Sequence, residues 1–344
     1  MFRSLSVRRC LLLFLLVVSP GCGRPTIKER TILRGHKGPV RSVAFAPDGK
    51  ILATGGADGS VRIWDLDAER EVVCFREEGG NVIAMIFTPD GKTLAAGYFN
   101  RPAVRRWNVS DRKERDPLDG HAEGVADLAV SFDGKTLATT CWKDGAVRLW
   151  DLASGTVRAT FRGHKGRLTR VAFSPDSKTL AAAATIQREH LRGAIVNTTR
   201  EGEVKLLDAA TAEEKATLFG HTDTVSCLGF APDAQLLATG SHDGTAKLWD
   251  TKTAKELATL EGHNGPNTCL VGLAFAPDGK MLATASLDKR VILWNVSTRK
   301  PIGILQGDPT PLSSVAFSPD GKTIASGHQD GGVRLWEIGS LLAK

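Results

Sequence analysis

At 344 residues, 42% of them apolar and 24% charged, the chain has the composition of an ordinary globular protein with a sizeable core, which excludes a disordered or fibrous class. The 36 glycines and 15 prolines are spaced along the chain, the mark of many turns and of an all-β protein. A formal net charge of +7 falls to +4 once residues 1–21 are set aside, and so mild and scattered an excess excludes the clustered basic stripe of a nucleic-acid binder.

In chain order, the first element is an address. Arg3, Arg8 and Arg9 precede the apolar run 10–19 (CLLLFLLVVS), about half the roughly 20 residues a bilayer-spanning helix needs. This layout predicts a signal peptide over residues 1–21 and export. The run ends in Ser19-Pro20-Gly21-Cys22-Gly23, which resembles the lipobox of bacterial lipoproteins. Cys22 is then the lipidated residue, residues 22–26 a short tether, and the product a membrane-anchored lipoprotein of the cell envelope. Pro20 and Ser19 depart from the usual lipobox, and cleavage without a lipid is the alternative. The later cysteines, Cys74, Cys141, Cys227 and Cys269, lie in four different repeats without CxxC spacing, so no metal site or redox pair is implied. Cys227 and Cys269 hold nearly equivalent places, and a disulfide stays open beside two buried free thiols.

Seven turn motifs follow: Ala46-Pro47-Asp48-Gly49-Lys50, Thr88-Pro89-Asp90-Gly91-Lys92, Ser131-Phe132-Asp133-Gly134-Lys135, Ser174-Pro175-Asp176-Ser177-Lys178, Ala231-Pro232-Asp233-Ala234-Gln235, Ala276-Pro277-Asp278-Gly279-Lys280 and Ser318-Pro319-Asp320-Gly321-Lys322. Pro fixes φ, Asp bonds nearby backbone and Gly accepts positive φ, so each motif reverses the chain between two strands. An alternating segment such as 40–45 precedes each turn, and a small-residue strand such as 51–55 follows it. A second reversal leads to a third strand ending at Trp64-Asp65, Trp107-Asn108, Trp150-Asp151, Leu207-Asp208, Trp249-Asp250, Trp294-Asn295 or Trp336-Glu337. A fourth, such as 71–76, completes each meander.

The spacings between these ends, 43, 43, 57, 42, 45 and 42 residues, carry the 40–45 residue period of WD40 propellers, and the chain resembles that family over residues 27–338. The resemblance implies an all-β, seven-bladed WD40 β-propeller over 27–339, followed by a tail over 340–344. Too few residues follow Trp336 for a fourth strand, so 27–34 is expected to close blade seven and remove the exposed edges. In the family this strand starts on the face of the Pro-Asp-Gly turns and ends at the Gly-His loops. A lipid on Cys22, within about 17 Å of Ile27 at roughly 3.4 Å per residue, would therefore set the turn face against the membrane. The turn lysines, Lys50, Lys92, Lys135, Lys178, Lys280 and Lys322, sit beside seven aspartates and form no headgroup-binding ring.

Four repeats carry the same quartet: His36, Thr54, Asp58 and Trp64; His121, Thr140, Asp144 and Trp150; His221, Thr239, Asp243 and Trp249; His263, Thr284, Asp288 and Trp294. Singly, each imitates a nucleophile, a base and an orienting carboxylate. Repetition argues against catalysis, and the resemblance implies structural tetrads in which His bridges Asp and a hydroxyl that reaches the indole N–H. Blade two lacks the histidine, with Asn100 near its turn. Blade four keeps His164 but has Leu207 for Trp and Glu201-Gly202 for Asp-Gly. Blade seven has Ser326, Asp330 and Trp336 after Gly307-Asp308.

The spacing of 57 locates an insertion of about 14 residues, 186–200, read as a long loop on the Gly-His face of blade four. Arg188, His190, Arg192 and Arg200 make it basic, and Arg41, Lys143, Arg170, His242 and His328 join it as candidate partner-binding residues, with Leu287 and Gln329 nearby. The histidines fall one per blade, so no metal is expected, and no cofactor or catalytic motif is legible. The expected function is a non-enzymatic, monomeric scaffold, exported and tethered, that docks a protein or peptide on the Gly-His face. The alternative is an envelope enzyme or small-ligand binder using the central channel.

Overall fold

The computed structural model describes residues 27–192, 195–307 and 310–342. Reversals made by the Pro-Asp-Gly motifs set its repeating unit. Each aspartate folds back on the backbone, as where Asp48 Oδ1 accepts the Lys50 N–H at 3.0 Å. The next residue is left-handed, at φ 71° for Gly49; Ser177 and Ala234 hold the same place at φ 58° and 60°. Those two bear the steric cost that glycine avoids.

Blade one comprises strands Val40–Phe45, Ile51–Gly56, Ser60–Asp65 and Arg70–Arg76. Five further four-stranded antiparallel meanders follow the same order, from Val82–Leu118 to Leu270–Leu305. Blade seven takes Leu312–Phe317, Thr323–His328 and Gly332–Glu337 from the C-terminal end of the chain and Lys28–Arg34 from the other. Lys28 pairs with Glu337 and Arg34 with Gly332, so the first strand closes the ring as the sequence predicts. The innermost strands touch in cyclic order, that of blade seven meeting that of blade one.

The core lies between blades. Val61 and Ile63 of blade one pack with Met85, Phe87 and Trp107 of blade two, all buried. Second and third strands are sandwiched on both faces, whereas fourth strands such as Val157–Phe161 are largely exposed. The last described segment, Gly339–Leu342, forms one helical turn, and Leu341 packs with Ile27 beneath blade seven rather than trailing free.

The insertion in blade four is not a loop. The second and third strands there run Thr179–Arg192 and Ile195–Asp208, paired without a register break from Thr179↔Asp208 to Arg192↔Ile195. It is a continuous β-hairpin that leaves the blade beyond Thr185, where the pairing of the first strand ends. Among the described residues no helix is long and apolar enough to cross a membrane. Cys22, the signal segment 1–21 and the tether lie outside the described residues.

Candidate functional site

Each rim begins with a buried indole that needs an acceptor. In blade one Trp64 donates Nε1–H to Thr54 Oγ1 at 2.8 Å, and that hydroxyl lies 2.8 Å from His36 Nε2. The ionised Asp58 can only accept, so a neutral ring leaves Nε2 to accept the threonine proton. The imidazole therefore carries its own proton on Nδ1, 3.1 Å from Asp58 Oδ1. Blades five and six repeat this: His221 and His263 stand 2.8 Å from Asp243 and Asp288, and Trp249 and Trp294 donate to Thr239 and Thr284. Burial holds His36 and His121 below the usual imidazole range, against the pull of Asp58 and Asp144, so both rings are neutral at neutral pH. Burial alone would raise the Asp58 carboxyl, but bonds from the Lys37 N–H, Ser60 and His36 hold it well below the usual range.

In blade three the hydroxyl is Thr139, not Thr140. Thr139 Oγ1 lies 2.6 Å from His121 Nε2 and accepts from Trp150 at 2.8 Å; Thr140 faces the other way and donates to Asp127 O at 3.4 Å. Trp142 lengthens the turn by one residue. Counting back from Trp150 therefore selects the wrong threonine, and counting on from the histidine selects the right one. Thr139→Val is expected to cost about 1–3 kcal/mol by orphaning an indole and an imidazole, and Thr140→Val much less. Urea midpoints of the two variants check this, and the reverse order would sink the assignment. Beside this rim His121, Cys141 and Asp144 approach metal-ligand spacing, but the Arg148 guanidinium sits 2.6 Å from His121 Nδ1 and bonds Asp144. A fixed cation already occupies that space.

Blade seven corrects the reading of His328 as a partner-binding residue. Its side chain is buried, with Nε2 2.9 Å from Ser326 Oγ, which accepts from Trp336 at 2.8 Å. The reason is steric. A Cβ on Gly56, the equivalent position in blade one, would come within 2.4 Å of His36 Nδ1, so in that blade the loop histidine fills the space that the His328 side chain takes in blade seven. Blade two obeys the same rule, with buried Tyr98 at this position. Blades that keep the histidine hold Gly56, Cys141, Ala184, Ser241 or Ser286 there. In blade four, Ala182 and Leu207 replace Thr and Trp, and His164 Nδ1 turns to Glu203 Oε1 at 2.7 Å. Glu201 instead bonds Arg188 on the hairpin at 2.8 Å.

The remaining candidates are distributed over the face bearing the histidines. Arg41, Arg170 and His242 line a cavity of about 440 Å³ at the channel mouth, together with Leu287 and Gln329. Burial keeps His242 below the usual imidazole range. Lys143 is exposed at the rim and bonds Glu123. Arg188 is paired, Arg200 is exposed, and His190 and Arg192 stand on the hairpin ladder with their side chains outside the described residues. Sequence reasoning missed Phe99 and Trp142, which stack edge to face at 4.5 Å on the cavity wall. The extra residue in the blade-three turn was the available signal. Cys227 and Cys269 are free thiols, and burial pushes Cys227 up to about 12.

Seven closed blades, five of them with a hydrogen-bonded Trp at the rim, define the protein as a WD40-type repeat propeller. The WD domain, G-beta repeat pattern matches residues 27–65, 112–151, 155–185, 212–250, 254–295 and 299–337, more than half of the chain, and the chain belongs to that family. The matches skip most of blade two and the hairpin, where the rims depart most from the pattern. Among curated relatives, the ribosome biogenesis protein ERB1 of Chaetomium thermophilum is 53% identical over 55 residues, 16% of this chain and 7% of that protein. That of Chaetomium globosum is 56% identical over 48 residues, 14% and 6% of the two chains, and that of Neosartorya fischeri 55% over 42 residues, 12% and 5%. The chain spans only a small part of the length of these relatives. They are named for ribosome biogenesis, and these matches overturn the expectation of an exported, membrane-anchored protein.

Proposed function

We propose that the chain is a non-enzymatic scaffold that docks a protein partner on its histidine-bearing face, over the channel mouth and beside the blade-four hairpin. The observation that carries this is the use of the titratable groups. The His and Asp side chains that imitate catalysis are consumed in holding rims, while Phe99, 42% exposed, and Trp142 stand at the mouth outside the repeat pattern. Exposed aromatic groups beside cations are what protein-binding surfaces concentrate. A catalytic channel would need a base and an acid converging on one point. Among the described residues the mouth cavity is lined by Arg41, Arg170 and His242 but by no carboxylate.

A photo-cross-linking residue in place of Lys143, on the rim, is expected to trap a defined protein in cells, whereas one in place of Lys92, on the turn face, is not. Capture from Lys92 alone would overturn the proposal.

A further inference from the structure

We infer that the mouth cavity is a receptor for a short extended segment of the partner, one carrying a carboxylate side chain next to an apolar one; this rests on the scaffold reading of the same face. Three buried polar atoms of residues on its wall, Trp142 Nε1, Asn81 Oδ1 and Ser313 Oγ, have no hydrogen-bond partner among the described residues. An unmade bond at a buried polar atom is costly, and three on one wall form a pattern that a ligand can complete. The Trp142 ring is held in place by Phe99, edge-on at 4.5 Å, and by the Arg167 guanidinium, 5.4 Å from its centre. Its N–H is a fixed donor.

Charge selects the ligand's sign. Arg41 is exposed and forms no ion pair among the described residues, and Arg170 bonds only the neighbouring Thr169 carbonyl at 2.8 Å. Asp127, which lines the channel with Arg41 and Arg170, accepts the Val171 N–H at 2.9 Å, and burial raises its affinity for a proton despite Arg170. Arg41 and Arg170 therefore line an opening that has no carboxylate in its own lining among the described residues, with Asp223 and Asp243 acting on His242 from behind the wall. A ligand carboxylate satisfies the two guanidinium groups. Asn81 offers an acceptor to a peptide N–H, and Leu287 and Leu312 offer an apolar wall to the adjoining side chain. A volume of about 440 Å³ suits a short segment and not a folded surface.

The test uses the full chain labelled with 5-fluorotryptophan, whose Trp142 signal is assigned by its loss in Trp142→Phe. The probes are acetyl-Gly-Ser-Glu-Leu-Ser-Gly-amide, its Gln analogue and an oligouridylate. The Glu peptide is expected to shift the Trp142 signal and to bind about tenfold more tightly than the Gln analogue, the difference one charge-assisted hydrogen bond makes. Arg41→Gln with Arg170→Gln should erase that preference while the other tryptophan signals stay in place. Equal affinity for both peptides, an unmoved Trp142 signal, or tighter binding of the oligouridylate would overturn the inference. If partner capture through Lys143 persists in any of those cases, the receptor chemistry falls and the scaffold reading stands; capture through Lys92 alone removes both.

Discussion

Deleting residues 27–34 is expected to abolish cooperative folding rather than to trim the ring. The strand Lys28–Arg34 supplies the outer ladder of blade seven and buries Leu33. It also brings Glu29 to 3.4 Å from Arg334, a fully buried guanidinium that otherwise meets Asp330 at 3.1 Å. Arg30 crosses to blade one, donating to Glu69 at 3.0 Å and to the Leu66 carbonyl at 3.2 Å. Removing one partner of a buried charge costs about 3–5 kcal/mol, a large share of the roughly 5–15 kcal/mol that holds a domain together. The deletion would also bare the third strand of blade seven as a new edge open to other chains. Urea titration followed by circular dichroism, with size-exclusion chromatography, reads the outcome. A sharp transition at the parent midpoint would show that closure does not depend on this strand. Glu29→Gln, which keeps the ladder, is expected to lower the midpoint and preserve cooperativity.

Glu203→Ala is expected to destabilise the protein by about 3–5 kcal/mol, as removing one member of a buried ionic group does. Glu203 is 2% exposed, 2.7 Å from His164 Nδ1 and 4.0 Å from Lys205 Nζ. Burial works to raise its carboxyl, but the bond and charge of His164, with Lys205 behind, hold it below the usual glutamate range. Without it a buried imidazole loses its partner and Lys205 keeps Glu214 and Thr217. Replacing the pair together, His164→Phe with Glu203→Leu, should recover much of the loss, because two apolar side chains leave no buried polar group behind. Urea midpoints at constant slope measure both variants. A loss under about 1 kcal/mol in the single variant would mean that blade four does not rest on this pair.

The ring was legible because turn chemistry repeats seven times, and because too few residues after Trp336 force the missing strand to come from the other end. Details failed where a single residue changes a count. Trp142 shifts the threonine of blade three by one place, and a one-residue slip turns a strand side chain to the opposite face. The hairpin failed for another reason: charged residues on an unaccompanied extension read as loop, although β-branched Ile195, Val196, Thr198 and Thr199 continue the strand pattern. His328 reads as a surface residue because it stands at the turn after the second strand of blade seven, on the Gly-His face. The clue lay in the Gly307-Asp308 dipeptide, which had already removed the histidine that would have competed for its space. The tryptophan–phenylalanine wall of the mouth has no counterpart in the repeat and was visible only once the blades were assembled.

The exchange between a loop histidine and a ring grown from the second strand bears on how this surface can change over evolutionary time. In the blades completed by a loop histidine, substitution of that loop threatens the rim itself. Blade two fills the equivalent space from within, through Tyr98, so the segment leading into it carries no such duty. That segment includes Asn81, which lines the mouth. Blade two is therefore the sector in which new recognition sequences can be tried at least risk to the ring.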